Sequence, residues 1–189
     1  MSLLPTLGKS EGTWFSQRTV HHFDCVKNES GESNIIVEVL MADDPRVIDV
    51  CQGQNVDPAL AKGGATFQWQ HNLDDPNPNP DWAAILVDIP NPQNSQTGKF
   101  LRNKGYVEGI PVVCHYHFAA DGTLTIQTEY EKNQGQERCW FVTDDFRVRV
   151  STVKMMNGVN LMTYCSERRC ISQEKLQEMI QLNRGRAFA

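Results

Sequence analysis

Residues 146–151 read Phe-Arg-Val-Arg-Val-Ser, a β-branched stretch in which every second side chain is polar or cationic. Successive side chains of a strand point to opposite faces. Arg147, Arg149 and Ser151 therefore share one face, and Phe146, Val148 and Val150 the other. Two arginines alternating on such a strand are unusual in a core and ordinary on a solvent face. Residues 137–142, Glu-Arg-Cys-Trp-Phe-Val, form a second strand ahead of an Asp-Asp turn. A three-residue turn, Thr143 to Asp145, sets Glu137 opposite Ser151 and gathers Glu137, Arg147, Arg149 and Ser151 on one face. A two-residue turn sends Glu137 to the other, because a slip of one residue reverses every side chain. A solvated strand is the plain alternative.

The rest of the chain predicts more strands of the same kind. Residues 13–23 form a long one, with Trp14, Ser16, Arg18 and His22 on one face and Phe15, Thr19, His21 and Phe23 on the other. A polar connection at 28–32 leads to the β-branched strand 34–40. Asp43-Asp44-Pro45 opens a short helix through Cys51, with acidic residues and proline at its start. Phe67 and Trp69 face together on the strand 65–70. The proline-rich 74–80 is a surface excursion, strands resume at 82–87, and a loop at 90–98 precedes a strand from Lys99.

The three-residue loop Ala120-Asp121-Gly122 pairs Phe118 with Leu124 and Tyr116 with Ile126. Continuing through a loop at 132–135 pairs Tyr130 with Glu137 and Ile126 with Phe141. One face then carries Tyr116, Ile126, Tyr130, Glu137, Arg147, Arg149 and Ser151, too polar for a dry core and too apolar for open solvent. It suits the lining of a ligand cavity. Asn157-Gly158 marks a two-residue hairpin. In strict register it pairs 149 with 166 and 151 with 164, bringing Ser166 and Tyr164 beside the arginines and turning Glu167 away unless a bulge intervenes. Ser172 caps a short C-terminal helix with a Leu176, Met179 and Ile180 stripe. About ten strands in short succession predict an all-β, ten-stranded antiparallel barrel, with short N-side and C-terminal α-helices, in a single domain over 1–189.

Composition narrows the function. A net charge of −5 lacks the basic face that a nucleic-acid partner requires. Nothing approaches the ~18 apolar residues of a membrane span, and no signal peptide is visible. The six cysteines show no Cys-x-x-Cys spacing and read as buried thiols in a reducing compartment. The His21-His22 pair lacks an obvious third ligand, so no metal site is expected.

Several segments together resemble one family, the S-type phycobiliprotein chromophore lyases of cyanobacteria and red-lineage plastids. They are Gly-Thr-Trp-Phe-Ser-Gln-Arg-Thr-Val-His-His at 12–22, the strand 33–40, Gly63-Gly64 with Trp69, 102–108, 137–151 and Cys165-Ser166-Glu167. The most specific are Ser-Gln-Arg-Thr and Arg-Val-Arg-Val-Ser, and the resemblance runs from about residue 12 to residue 170. It implies a lipocalin-like barrel that binds an open-chain tetrapyrrole and delivers it to a cysteine thiol of a phycobiliprotein α or β subunit, forming a thioether. The phycobilin, phycoerythrobilin or phycocyanobilin, is then a substrate, with no cofactor held permanently. Arg147 and Arg149 would hold its propionates, and Glu137 would hydrogen-bond or protonate its pyrrole nitrogens. Trp14, Arg18, His21, Phe67, Trp69, Tyr130, Ser151, Tyr164 and Ser166 would complete the ligand contacts. The resemblance also implies a cyanobacterial cytoplasm or a plastid stroma.

The rival reading is a non-enzymatic carrier of a bilin or another hydrophobic carboxylate, which needs the same barrel and arginines. If the arginines look inward, Phe146, Val148, Val150 and Trp140 make an outward apolar stripe, and such a stripe favours a homodimer.

Overall fold

The computed structural model describes residues 3–26, 28–70, 80–105, 109–155 and 158–170, with four further residues beyond 170. After a short helix, α1 (Leu3–Ser10), come β1 (Gly12–His22) and β2 (Asn28–Leu40). The helix α2 (Pro45–Gly53) and a 3-10 turn (Pro58–Leu60) lead to β3 (Gly64–Gln70). A meander follows: β4 (Ala83–Asn91), β5 (Asn94–Arg102), β6 (Val112–Phe118), β7 (Leu124–Glu129), β8 (Asn133–Thr143), β9 (Phe146–Met155) and β10 (Gly158–Arg169). Each strand pairs antiparallel with its sequence neighbours, and β1 with β10 closes a ten-stranded barrel. Closure removes the sheet edges that would otherwise template aggregation.

Several local expectations need correction. The polar 28–33 is the first half of β2, not a connection, with Asn28 opposite His21 and Ser33 opposite Ser16. It lacks the β-branched signal because it lies beside the open end of the barrel, where neither face needs to be dry. The expected loop at 90–98 is mostly strand, since β4 continues through Pro90 and β5 begins at Asn94. The helix α1 was not foreseen, because Pro5 and Gly8 depress helix propensity. Pro5 falls in the first turn, where its missing N–H costs no hydrogen bond. Tertiary packing supplies the stability: Leu7 is buried in the interior cluster with Trp14, Ile35 and Phe100.

The helix α2 starts where expected. The Asp44 side chain caps it by accepting from the Arg46 N–H at 2.8 Å. It covers the outer wall, because Val47, Val50 and Cys51 pack on the outward Leu40, Val87 and Leu101. Of the expected C-terminal helix, the Leu176, Met179 and Ile180 stripe lies outside the described residues. Glu174, Gln177, Glu178 and Gln181 are helical and exposed.

The hairpin registers carry the site. The Ala120–Gly122 loop pairs Phe118 with Leu124 and Tyr116 with Ile126, as the sequence predicts, and Gly122 takes the left-handed conformation at φ 83°. The next turn is tighter than expected. The Tyr130 N–H reaches the Asn133 carbonyl across Glu131-Lys132, so Ile126 pairs with Glu137 instead of Phe141. That shift of four residues is even, so the inward set is unchanged.

Low in the barrel, the Tyr116 hydroxyl donates to Asp88 Oδ1 at 2.9 Å. A Cβ on Gly98 would overlap the Tyr116 ring, so the ring lies flat over a glycine. Burial pushes the Asp88 carboxyl up to about 6, against the opposing pull of that hydrogen bond. The fold thus favours the protonated form, and its contribution is full below the unfolded value near 3.8 and lost as pH rises toward about 6. Asp88→Asn keeps an acceptor for Tyr116 and removes the charge. Its melting temperature should exceed that of wild type at pH 7, by an amount worth no more than about 3 kcal/mol, and the two curves should converge below about pH 4.

Candidate functional site

The strands enclose a cavity of about 740 Å³, within the range of about 300–1,000 Å³ typical of small-molecule sites. One end is a floor. Trp14 is fully buried there, with the Arg147 guanidinium 4.3 Å and the Arg169 guanidinium 4.4 Å from its ring centroid. Arg169 also donates to the carbonyls of Lys9 and Glu11, tying α1 across that end. The opposite end, where Trp69, Trp82, Lys104, Gly105 and Tyr130 line the wall, is the mouth.

One wall carries charge. Glu167, with no exposed surface, accepts from Arg147 Nε at 2.5 Å and from Arg149 Nε at 2.7 Å. Arg149 Nη1 reaches Glu137 Oε2 at 3.1 Å. Burial disfavours the ionised Glu167, but Arg149 and Arg147 together outweigh it and hold the carboxyl below its ordinary range. Arg147 is buried at 2% exposure and spends its side chain on Glu167 and Trp14. Arg149 and Glu137 stay partly open to the cavity, at 18% and 26% side-chain exposure.

Two bulges produce this arrangement. Glu137 does pair with Ser151 and Cys139 with Arg149. The cause is not the expected three-residue turn. Thr143 pairs with Phe146 across a two-residue Asp144-Asp145 turn, and a bulge at Val142 restores the parity. In β10, Gly158 pairs with Met155 instead of standing in the expected Asn157-Gly158 turn. The second bulge, between Val159 and Leu161, then shifts the strand by one residue, so Arg149 pairs with Cys165 and Arg147 with Glu167. Glu167 therefore faces in, and the expected contacts of Tyr164 and Ser166 do not occur. Tyr164 is 43% exposed, and Ser166 lies opposite the outward Val148.

Of the other expected residues, Arg18, Phe67, Trp69, Tyr130 and Ser151 line the cavity. Phe67 and Trp69 stack at 6.4 Å between centroids and make an aromatic wall. Trp14 belongs to the floor. His21 does not join the site: it is exposed on the outer face, 3.1 Å from Asn28 Oδ1, because the inward parity of β1 is even. Reading the sequence missed Arg102, buried on the wall away from the ion cluster, and left Glu167 open; only the bulge could have placed it. At the mouth His22, Asp24 and Cys25 bring ligand-type atoms within 4.8 Å of one another, but His22 is already 3.3 Å from Glu29.

All six cysteines are free thiols, and Cys114, Cys139 and Cys165 line the cavity. Burial pushes Cys139 up to about 12, with Arg147 and Arg149 pulling weakly the other way. Burial likewise raises Cys114 and Cys165. These thiols stay protonated at neutral pH and are poor nucleophiles.

The fold and cavity define a closed ten-stranded antiparallel barrel with an internal cavity, an aromatic wall and arginine–carboxylate pairs inside. Comparisons with known proteins narrow that class. The family described as "CpeS-like protein" matches residues 6–170. Chromophore lyase CpcS/CpeS 4 of Trichodesmium erythraeum is 67% identical over 187 residues, covering 99% of this chain and 97% of that protein. The phycocyanobilin lyase subunit CpcS of Picosynechococcus is 41% identical over 162 residues, covering 85% and 82%. The structure of the S-type phycobiliprotein lyase CPES from Guillardia theta matches with a TM-score of 0.74 at 28% identity, covering 92% of this chain and 95% of that one. The chain belongs to the CpeS-like family.

Glu167 is the group whose loss the site should tolerate least. Glu167→Gln leaves two arginines in the barrel with their shared counter-ion gone, and denaturant unfolding should show a loss of about 3 kcal/mol or more. Glu137→Gln, at a more exposed position, should cost under about 1 kcal/mol by the same measurement.

Proposed function

We propose that this chain is a phycobiliprotein bilin lyase, an enzyme that takes an open-chain tetrapyrrole into its barrel and hands it to a cysteine of a phycobiliprotein subunit. The observation that carries this reading is the pairing of an aromatic wall with partly open arginine and glutamate side chains in one cavity. A bilin brings a long π-surface, two propionates and pyrrole N–H groups. Phe67 and Trp69 offer the surface for the first. Arg18 and Arg149, with Ser151, supply donors for the propionates, since Arg147 is committed to Glu167. Glu137, partly open to the cavity, would stabilise a protonated tetrapyrrole, whose positive charge draws electron density from the ethylidene carbon.

The acceptor's thiol then adds across the exocyclic double bond. Sulfur bonds to the ethylidene carbon and the thiol's proton ends on the neighbouring ring carbon, so no oxidant or reductant is consumed. The chain's own cavity thiols do not compete, because burial keeps them protonated. A carrier without catalysis would need the same pocket, but it would not need a carboxylate placed to activate the ligand. We further propose phycoerythrobilin or phycocyanobilin as the ligand, and a cyanobacterial cytoplasm or plastid stroma as the compartment. No helix among the described residues is long and apolar enough to cross a membrane. The homodimer through the β9 stripe has weaker support than the sequence suggested: Val148 is already 4% exposed within one chain, leaving only the half-buried Trp140, Phe146 and Val150.

Incubation with phycoerythrobilin or phycocyanobilin and apo-subunits tests the reading: denaturation-resistant fluorescent adducts should form faster with the protein than without it. Arg18→Ala should weaken bilin binding by about 1.5–3 kcal/mol without lowering the melting temperature, whereas Arg149→Ala should reduce both. Unchanged bilin titrations would remove these arginines from the ligand site.

A further inference from the structure

The mouth of the barrel carries an apolar collar that extends beyond the ligand cavity, since of its five members only Trp82 lines the cavity. Phe23 and Val26 in the β1–β2 connection are 61% and 110% exposed. Trp82 just before β4 is 42% exposed, Ile110 just before β6 is 49%, and Met155 at the end of β9 is 43%. Among the described residues these are five of the ten exposed large hydrophobics, and all five stand at the same end of the barrel. The others are dispersed: Met41 and Leu60 near α2, Val142 by the floor hairpin, Val113 and Tyr164 on the outer wall. Apolar side chains gathered around one opening mark a contact surface more than chance exposure does.

We propose that this collar docks the phycobiliprotein subunit in its apo form and releases it once the bilin is attached. The proposal rests on the lyase reading above. Among the described residues the floor is covered by Trp14, Arg147 and α1, so a bilin in the cavity is approached from the mouth. A thiol fixed on a folded protein cannot enter a space of about 740 Å³ with its whole domain. The acceptor must lay its surface over the mouth and present the cysteine downward. Before attachment it has an unfilled apolar crevice, the one the bilin will occupy, and that is the surface an apolar collar matches. After attachment the crevice is filled, the apolar surface is gone, and the same collar holds the product less well. The collar thereby gives the transfer a direction without any conformational switch in the barrel.

The test uses a Phe23→Asp/Ile110→Asp double variant, because neither side chain lines the cavity and the two connections lie on opposite sides of the mouth. Its bilin absorbance titration and circular-dichroism melt should match wild type, while the KM for the apo-subunit in adduct formation rises about tenfold or more. Met155→Asp, a milder lesion, should move KM in the same direction. Wild type should also bind immobilised apo-subunit at least about tenfold tighter than the bilin-loaded subunit. A double variant that binds bilin and transfers it with unchanged KM overturns the docking proposal and leaves the lyase reading intact. Equal binding of apo and loaded subunits overturns the release step. Wild type that binds bilin but transfers none overturns both readings. A wild-type dimer that the double variant dissociates assigns the collar to self-association and overturns the docking of the acceptor.

Discussion

A glutamate with no exposed surface, held between two guanidinium groups, is the interaction on which the interior depends. Without Glu167 the buried Arg147 would lose its carboxylate, at a cost of several kcal/mol for an unpaired buried charge, and Arg149 would keep only Glu137. A buried ion cluster is weak evidence for net stability, because desolvation offsets much of the attraction. Its value here is positional. The cluster links β8 through Glu137, β9 through both arginines and β10 through Glu167, and Arg147 lies over Trp14 of β1. Four adjacent strands, including the seam that closes the barrel, therefore share one network, and the polar equipment of the cavity stands on one rigid wall.

That wall exists because of two inserted residues. A strand's side chains alternate with period two, so each single-residue bulge exchanges inside for outside in everything beyond it. The bulge at Val142 compensates for a turn one residue shorter than the alternation needs, and it keeps Glu137 inside. The bulge between Val159 and Leu161 turns β10 over relative to its hairpin signal. It brings Cys165 and Glu167 inward and sends Tyr164 and Ser166 out. Neither bulge is a defect in this reading, because both are needed to place the carboxylates against the arginines.

The two ends of the barrel have opposite characters. The floor combines the fully buried Trp14 ring with the helix α1, and Arg169 fastens them by donating to the carbonyls of Lys9 in α1 and Glu11 just after it while lying over Trp14. Glycine at position 98 lets the Tyr116 ring lie close to β5 and reach Asp88, which completes the dense lower half. Cys114, Cys139 and Cys165 also line the cavity, and burial keeps them protonated. Reactive cargo can rest beside thiols of that kind without being captured by them. Among the described residues, charged groups on one wall and protonated thiols in the same cavity fit the proposed role of holding an electrophile for another protein's nucleophile.

Much of this was legible in the chain. Alternating strands in short succession determine an antiparallel barrel, and Arg147, Arg149 and Ser151 must share a face because local backbone geometry enforces it. The Ala120–Gly122 turn fixes its hairpin for the same local reason. The Asp44-Pro45 start of α2 is legible too, since capping acts within one turn of helix. What the tertiary structure alone decided is parity across connections: which face Glu137 and Glu167 take, and hence whether the arginines meet carboxylates or water. A bulge leaves almost no trace in composition, because its cost is local and its benefit is a contact made by residues far from it along the chain. The helix α1 belongs with the bulges. Its eight residues have little helical tendency of their own, and only the barrel floor gives Leu7 a place to be buried.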